Sequence, residues 1–364
     1  MRTFPDALTF CLSAATSALA GRRYLSCLWE LTYRCTARCS MCHYWALEHH
    51  PDRELSLPQI QRGLDRVFEY GCRLVNFTGG EPTLRDDLDD IIAYASGLGM
   101  WTSMVTNGSL LTRDRVRALR EAGLDNLLVS LDSASPAVHD EQRGIQGSFR
   151  RVEACSRWIR DDFLRGHRTG GVMYVISRRN RSELGGVITF ARAHGIFVLV
   201  QPYHANKTGD PDPAPDMGAS LVHELVSLNS RGRVVLNSRG YLRGLSHPPD
   251  AAHQPRCHAG NKYLSVDPYG GLHPCVDLPA VGSILSGELT AVRSQAAQEM
   301  VTNCRGCWYC FRGEADTALS VAGCLEKAGL GVAVLRHNAV LRLRGLRDGA
   351  NAAEPERPAG IARP

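Results

Sequence analysis

The run Tyr33-Arg34-Cys35-Thr36-Ala37-Arg38-Cys39-Ser40-Met41-Cys42-His43 puts three cysteines on one short loop at a C-x3-C-x2-C spacing. An iron–sulfur cube has four irons, and proteins usually hold it with four thiolates. Three thiolates leave one iron without a protein ligand, and an open coordination position at a metal is where something small binds and reacts. A zinc knuckle is the bland alternative. Three cysteines with no suitably spaced fourth ligand make a poor tetrahedral site, and His43 could join only with strained adjacency to Cys42.

Downstream of the triplet, Gly79-Gly80-Glu81-Pro82 follows the apolar run Leu74-Val75-Asn76-Phe77. Thr106-Asn107-Gly108 and Ser130-Leu131-Asp132 each follow another apolar run, and Asp140-Glu141-Gln142-Arg143-Gly144 comes after them. In this order the motifs resemble those of the radical S-adenosylmethionine (SAM) enzymes. The resemblance implies that Cys35, Cys39 and Cys42 hold a [4Fe–4S] cluster whose fourth iron takes the amine and carboxylate of SAM. It also implies reductive cleavage of SAM to a 5′-deoxyadenosyl radical, which removes a hydrogen atom from substrate. Gly79, Gly80, Glu81 and Pro82 are then the expected SAM-binding turn, since glycine lets backbone approach a ligand closely. Ser130 is expected at the ribose or carboxylate, Asn107 and Asp132 as further contacts, and Arg143 as a two-pronged partner of the methionyl carboxylate. Against these roles stand two plainer ones, an ordinary strand-end turn and a surface arginine.

From residue 25 to 205, strand-like runs alternate with amphipathic stretches. Strands are expected at Cys27–Tyr33, Leu74–Thr78, Trp101–Thr106, Asn126–Leu131, Gly171–Ile176 and Ile196–Gln201. Helices are expected at Leu57–Tyr70, Leu88–Gly97, Thr112–Ala122, Phe149–Phe163 and Arg181–His194. Parallel strands need such crossovers, and parallel α/β folds gather ligands at the carboxyl ends of their strands, where these motifs sit. The expected fold class is α/β. The resemblance implies a partial (β/α)6 TIM-like barrel, open on one side, with a small cysteine-rich C-terminal extension.

The expected organisation is an amphipathic N-terminal helix over 1–24, the barrel over 25–205 and a loop and helix over 206–255. A cysteine-rich unit over 256–325, a basic closing helix over 326–348 and a disordered tail over 349–364 complete it. At 364 residues with 44% apolar and 22% charged side chains, the chain has a globular composition. A formal charge of +5, spread along the chain, does not suggest nucleic acid. No stretch reaches the roughly twenty apolar residues of a membrane span, and membrane contact is not expected. Thirteen cysteines grouped at short spacings suit metal in a reducing compartment, so a cytoplasmic location is expected. Cys11, Cys27, Cys72 and Cys155 lie in apolar runs and are expected as core thiols.

A second cysteine set begins with Cys257 and Cys275, which bracket the turn Asp267-Pro268-Tyr269-Gly270-Gly271. It continues with Cys304, Cys307 and Cys310, and with Cys324 further on. The pattern resembles the auxiliary-cluster extensions called SPASM and twitch, although the later spacing departs from the full SPASM arrangement. One auxiliary [4Fe–4S] cluster is expected, on Cys257, Cys275 and two of Cys304, Cys307 and Cys310, with Cys324 unassigned. Structural zinc is the runner-up, because Cys-x2-Cys pairs suit it equally well.

The first expectation for function is an enzyme of secondary or cofactor metabolism acting on a polar small molecule by oxidation, epimerisation or carbon–carbon bond formation. A flavodoxin or ferredoxin is the expected reductant. Only 34 residues precede Cys35, which disfavours cobalamin- or leader-binding domains and ranks a peptide-modifying maturase second. A non-catalytic iron–sulfur or zinc protein is third.

Overall fold

The computed structural model describes residues 25–205, 210, 217–232, 234–245, 257–304, 307–318 and 321–345. The expected N-terminal helix, most of the loop after residue 205 and the expected C-terminal tail lie outside them.

Nine strands form one sheet in the order β6-β5-β4-β3-β2-β1-β7-β8-β9. The first six are β1 (Leu25–Thr32), β2 (Cys72–Gly79), β3 (Trp101–Thr106), β4 (Asn126–Ser130), β5 (Thr169–Ile176) and β6 (Phe197–Pro202). Each is parallel to its sequence neighbour. Helices at Leu57–Tyr70, Leu88–Gly97, Arg113–Glu121, Ser148–Trp158 and Leu184–His194 return the chain between them. The sheet does not close on itself. It is a partial TIM-like barrel of the α/β class: the alternation predicts the parallel α/β sheet, and the resemblance implied the open barrel.

Strand periodicity decides which side chains can form a site. Trp29 pairs with Phe77 and Phe77 with Met104 in register, and all three are fully buried. A side chain at Gly63 of the first helix would collide with the Trp29 ring, so this face packs under the helices. Burying each of these large side chains stabilises the fold by about 2–3 kcal/mol. Glu30 and Thr32 alternate with Trp29 and Leu31, so they fall on the opposite, inner face.

The extension continues the same sheet. β7 (Tyr263–Val266) runs parallel to β1, and β8 (Gly271–His273) and β9 (Gly282–Ser283) follow antiparallel. The expected turn between β7 and β8 is present: Asp267 Oδ1 accepts from the amides of Tyr269 and Gly271, each at 2.8 Å. Sequence alone gave no sign that this hairpin pairs with β1.

Three elements differ from expectation. Pro136–Arg143 is a helix, opened by proline in its first turn and stopped by Gly144 in the left-handed region at φ 62°. The expected Phe149–Phe163 helix ends at Trp158 and continues as a π-helical turn over Ile159–Phe163. The closing helix begins earlier, spanning Val321–Gly345. Asn338 of that helix donates to the carbonyls of Gly166 and Arg168, just before β5, and His337 donates to the carbonyl of Gly195, just before β6. It therefore covers the amino ends of these strands and leaves the carboxyl ends to the site. None of the helices among the described residues is long and apolar enough to cross a membrane.

Candidate functional site

The Tyr33–His43 loop leaves the carboxyl end of β1 and docks on three of the motifs read from the sequence. On the β2 side, the Gly80 amide donates to the Thr32 carbonyl at 2.7 Å and the Glu81 amide to the Arg34 carbonyl at 2.8 Å. A Cβ on Gly80 would lie 2.1 Å from the Arg34 oxygen, and Gly79 sits at φ 113° with the Thr32 oxygen 2.4 Å from where its Cβ would be. Both glycines make room for the chain's own backbone, Gly80 for the Arg34 carbonyl of the cysteine loop and Gly79 for the Thr32 carbonyl at the end of β1.

Glu81 is fully buried. Its carboxylate accepts from the Thr83 amide at 3.1 Å, the Thr83 hydroxyl at 2.5 Å, the Thr106 hydroxyl at 2.6 Å and the Asn107 amide at 2.7 Å. These four donors use most of what one carboxylate can accept. Glu81 thus ties the ends of β2 and β3 together; burial pushes its carboxyl up while the donors pull it back. Its carboxylate has little capacity left for a further donor. Pro82, also buried, opens the short helical turn Pro82–Leu84.

From the end of β3, Asn107 Nδ2 donates to Thr36 Oγ1 at 2.9 Å and points at the Cys35 sulfur at 3.8 Å. Thr36 Oγ1 also meets Ser109 Oγ at 2.7 Å. Beyond β4, the helix that ends at Arg143 offers its last carbonyls. Arg38 donates its amide to Arg143 O at 3.1 Å and Ser40 to Gln142 O at 3.0 Å. The Arg143 side chain places Nη1 3.7 Å from the Cys39 sulfur and Nε 2.5 Å from Asp132 Oδ2. Ser130 ends β4 beside Met173, buried, one strand from the loop's supports. Thr36 and Ser109 were not singled out in the sequence. Their only signal was adjacency to the triplet and to the Thr-Asn-Gly motif.

The donors say what the loop can hold. Cys35 receives the Ala37 amide at 3.4 Å and the Asn107 amide group, and Cys39 receives Arg143. A neutral thiol is a weak acceptor, whereas metal-bound thiolates accept such N–H groups and are tuned by them. Burial, with Glu81 nearby, pushes the Cys35 thiol up to about 12, and burial raises Cys39 against the pull of Arg143. Without metal these sulfurs are therefore protonated and poor nucleophiles; a bound metal takes the place of the proton. Among the described residues no three His, Cys, Asp or Glu side chains converge on the position of a single metal ion. A cube asks for less convergence, because each iron takes one protein sulfur. The donor set fits a cluster.

The second cysteine set lies along the extension of this sheet. Cys257 Sγ is 2.9 Å from the Tyr263 hydroxyl. Cys275 is buried, its thiol pushed up by burial and by the nearby Cys307, Asp277 and Cys257. Arg312 Nη1 lies 3.6 Å from the Cys307 sulfur. Asn237 donates to the Cys310 sulfur at 3.4 Å. Cys304 follows the Gln295–Thr302 helix, half-buried. The last turn of the barrel holds this segment: Gln201, ending β6, accepts the Cys310 amide at 3.0 Å, and His204 accepts the Trp308 amide at 2.9 Å. Cys324 falls on the closing helix. Cys35, Cys39, Cys42, Cys257, Cys275, Cys304, Cys307 and Cys310 are free thiols, as are Cys27, Cys72 and Cys155, which are buried in the core.

Residues 29–191 match the radical SAM superfamily. Curated relatives include the AdoMet-dependent heme synthase of Methanosarcina barkeri, 26% identical over 76% of this chain and 81% of the relative. The PqqA peptide cyclase of Bradyrhizobium diazoefficiens is 28% identical over 74% of this chain and 70% of the relative. The mycofactocin maturase MftC of Mycolicibacterium smegmatis is 28% identical over 71% and 67%. Among solved structures, Streptococcus suis SuiB bound to precursor peptide SuiA superposes with a TM-score of 0.63 at 15% identity, covering 80% of this chain and 71% of SuiB. Native anSMEcpe with bound AdoMet and Cp18Cys peptide gives 0.59 at 15% identity, covering 90% and 99%. At such identity the structural likeness concerns the fold. Residues 29–191 are a radical SAM domain, and the chain is accordingly an enzyme of a class that works with a [4Fe–4S] cluster and SAM.

Proposed function

We propose that this enzyme modifies a peptide. In this reading Cys35, Cys39 and Cys42 hold the SAM-binding cluster, and Gly79, Gly80, Glu81, Pro82, Asn107, Ser130 and Arg143 form the surroundings of SAM. When bound, the cluster and SAM supply a 5′-deoxyadenosyl radical. The chain's own work is to fix the cysteine loop on three strand ends, to aim N–H groups at its sulfurs and to shield the site from water. One auxiliary [4Fe–4S] cluster sits on Cys257, Cys275 and two of Cys304, Cys307 and Cys310, in an extension over 256–325 that follows the barrel over 25–205. Structural zinc at this set is the reading that iron and zinc counting would oppose to it.

The observation that carries the proposal is the docking of the three-cysteine loop on the motifs at the ends of β2, β3 and β4. For the substrate, the activities of the relatives favour a peptide over the polar small molecule ranked first from sequence. A peptide cyclase and a maturase align over about seven-tenths of this chain. The heme synthase supports a second reading, a tetrapyrrole substrate. The test is anaerobic incubation of reconstituted enzyme with reductant and SAM, offering in separate arms a short peptide encoded beside the enzyme and an iron coproporphyrin. Peptide-dependent 5′-deoxyadenosine with a mass change in the peptide supports the proposal. Turnover with the porphyrin alone overturns it. A flavodoxin or ferredoxin is the proposed physiological reductant, and the cytoplasm the proposed location.

A further inference from the structure

Arg312 is 2% exposed and ranks among the largest fully buried side chains of the protein. It stands in the first turn of the Cys310–Ala318 helix, the end at which the helix dipole disfavours a cation. Taking a guanidinium out of water costs several kcal/mol unless negative charge and hydrogen-bond acceptors meet it. The groups that meet it here belong to the second cysteine set. Nη1 donates to the Cys307 carbonyl and points at the Cys307 sulfur at 3.6 Å, and Cys257 and Tyr263 also favour its charged form. The Trp308 ring covers the guanidinium at 5.3 Å, with the Tyr241 ring stacked beyond it. Asp277 adds a negative charge near Cys275 and Cys307. Arg312 and Asp277 thus bear in opposite senses on the Cys307 sulfur.

We propose that Arg312 is a positioning residue that sets the reduction potential of a cluster held through Cys257, Cys275 and Cys307, by countering the negative charge the cluster gains on reduction. This rests on the auxiliary-cluster reading above. A thiolate-ligated cluster becomes more negative when it takes up an electron, so a fixed cation beside its sulfurs favours the reduced form. Asp277 acts in the opposite direction.

The test is an EPR-monitored redox titration of the full-length chain carrying Cys35→Ala, Cys39→Ala and Cys42→Ala, in which only the second set can hold iron. Arg312→Met should lower the midpoint potential, Arg312→Lys should fall between, and Asp277→Asn should raise it. An Arg312→Met protein that keeps its iron and titrates at the parent's potential overturns the proposal. Should that variant not retain iron, Arg312→Lys decides: a midpoint below the parent supports the role, and an equal one overturns it. If the triple-alanine parent binds no iron at all, the auxiliary cluster falls and the role of Arg312 with it. An unmoved potential removes only the latter.

Discussion

The Nε of Arg143 lies 2.5 Å from Oδ2 of Asp132, and both side chains are buried. The pair joins the end of β4 to the helix whose last carbonyls hold the cysteine loop. Removing one partner of a buried pair strands the other charge, at a cost of about 3–5 kcal/mol. Arg143→Met should therefore lower stability in urea by that order, and adding Asp132→Asn should restore a large part of it. Additive losses across the cycle would show that the two side chains are not coupled.

Glu81→Gln keeps the shape of the side chain but turns an NH2 group toward hydrogen-bond donors. A hydrogen bond to a charged group contributes about 1.5–3 kcal/mol. The variant should lose at least that much stability and retain less iron at the first site after reconstitution and desalting. Wild-type stability and iron content would show that Glu81 does not tie β2 to β3.

Gly80→Ala should be more damaging than its size suggests. The new methyl would stand 2.1 Å from the Arg34 carbonyl oxygen, and backbone cannot turn aside as a side chain can. The expected outcome is low soluble yield, or a soluble protein without the first cluster. Gly97→Ala, where nothing lies within 4 Å, is the control and should behave as wild type. Equal iron content in the two variants would contradict the docking of the loop.

His139 accepts the Asp132 amide on Nδ1 and meets Ser148 through Nε2. Burial, with Arg143 nearby, holds its pKa down at about 3. The unfolded chain takes up this proton near pH 6.5, well before the folded one, so stability falls as the pH drops below that value. At pH 5 the loss from this group is about 2 kcal/mol relative to pH 7. His139→Asn should unfold with a correspondingly smaller difference between the two pH values, read from urea midpoints. An identical pH dependence would place the His139 proton elsewhere.

The barrel was legible because its strands are apolar runs bounded by helices with a clear buried face; Leu57–Tyr70, Leu88–Gly97 and Trp101–Thr106 have the bounds read from the sequence. The Pro136–Arg143 helix was missed although Pro136 and Gly144 are the proline-start and glycine-stop signals of a short helix. With His139 and Arg143 its only buried residues, it lacks an apolar stripe. The pairing of β7 with β1 was not legible because strand order depends on contacts far apart in the chain. At the site, the motifs were visible but their immediate partners were not. Gly80 and Glu81 touch the cysteine loop through backbone and buried hydrogen bonds, and no spacing in the sequence reveals whether a glycine makes room for a ligand or for the chain itself. Gln201 is similar: it holds the amide of Cys310, a partner that no spacing reveals.

The reduced protein, prepared without oxygen, is to be mixed with SAM and followed by EPR and by 5′-deoxyadenosine formation, beside its Cys39→Ala variant. The expected result is a cluster signal that changes when SAM is added and 5′-deoxyadenosine from the wild type, with neither from the variant. Cleavage of SAM by Cys39→Ala at the wild-type rate would contradict the assignment of the Cys35, Cys39 and Cys42 loop.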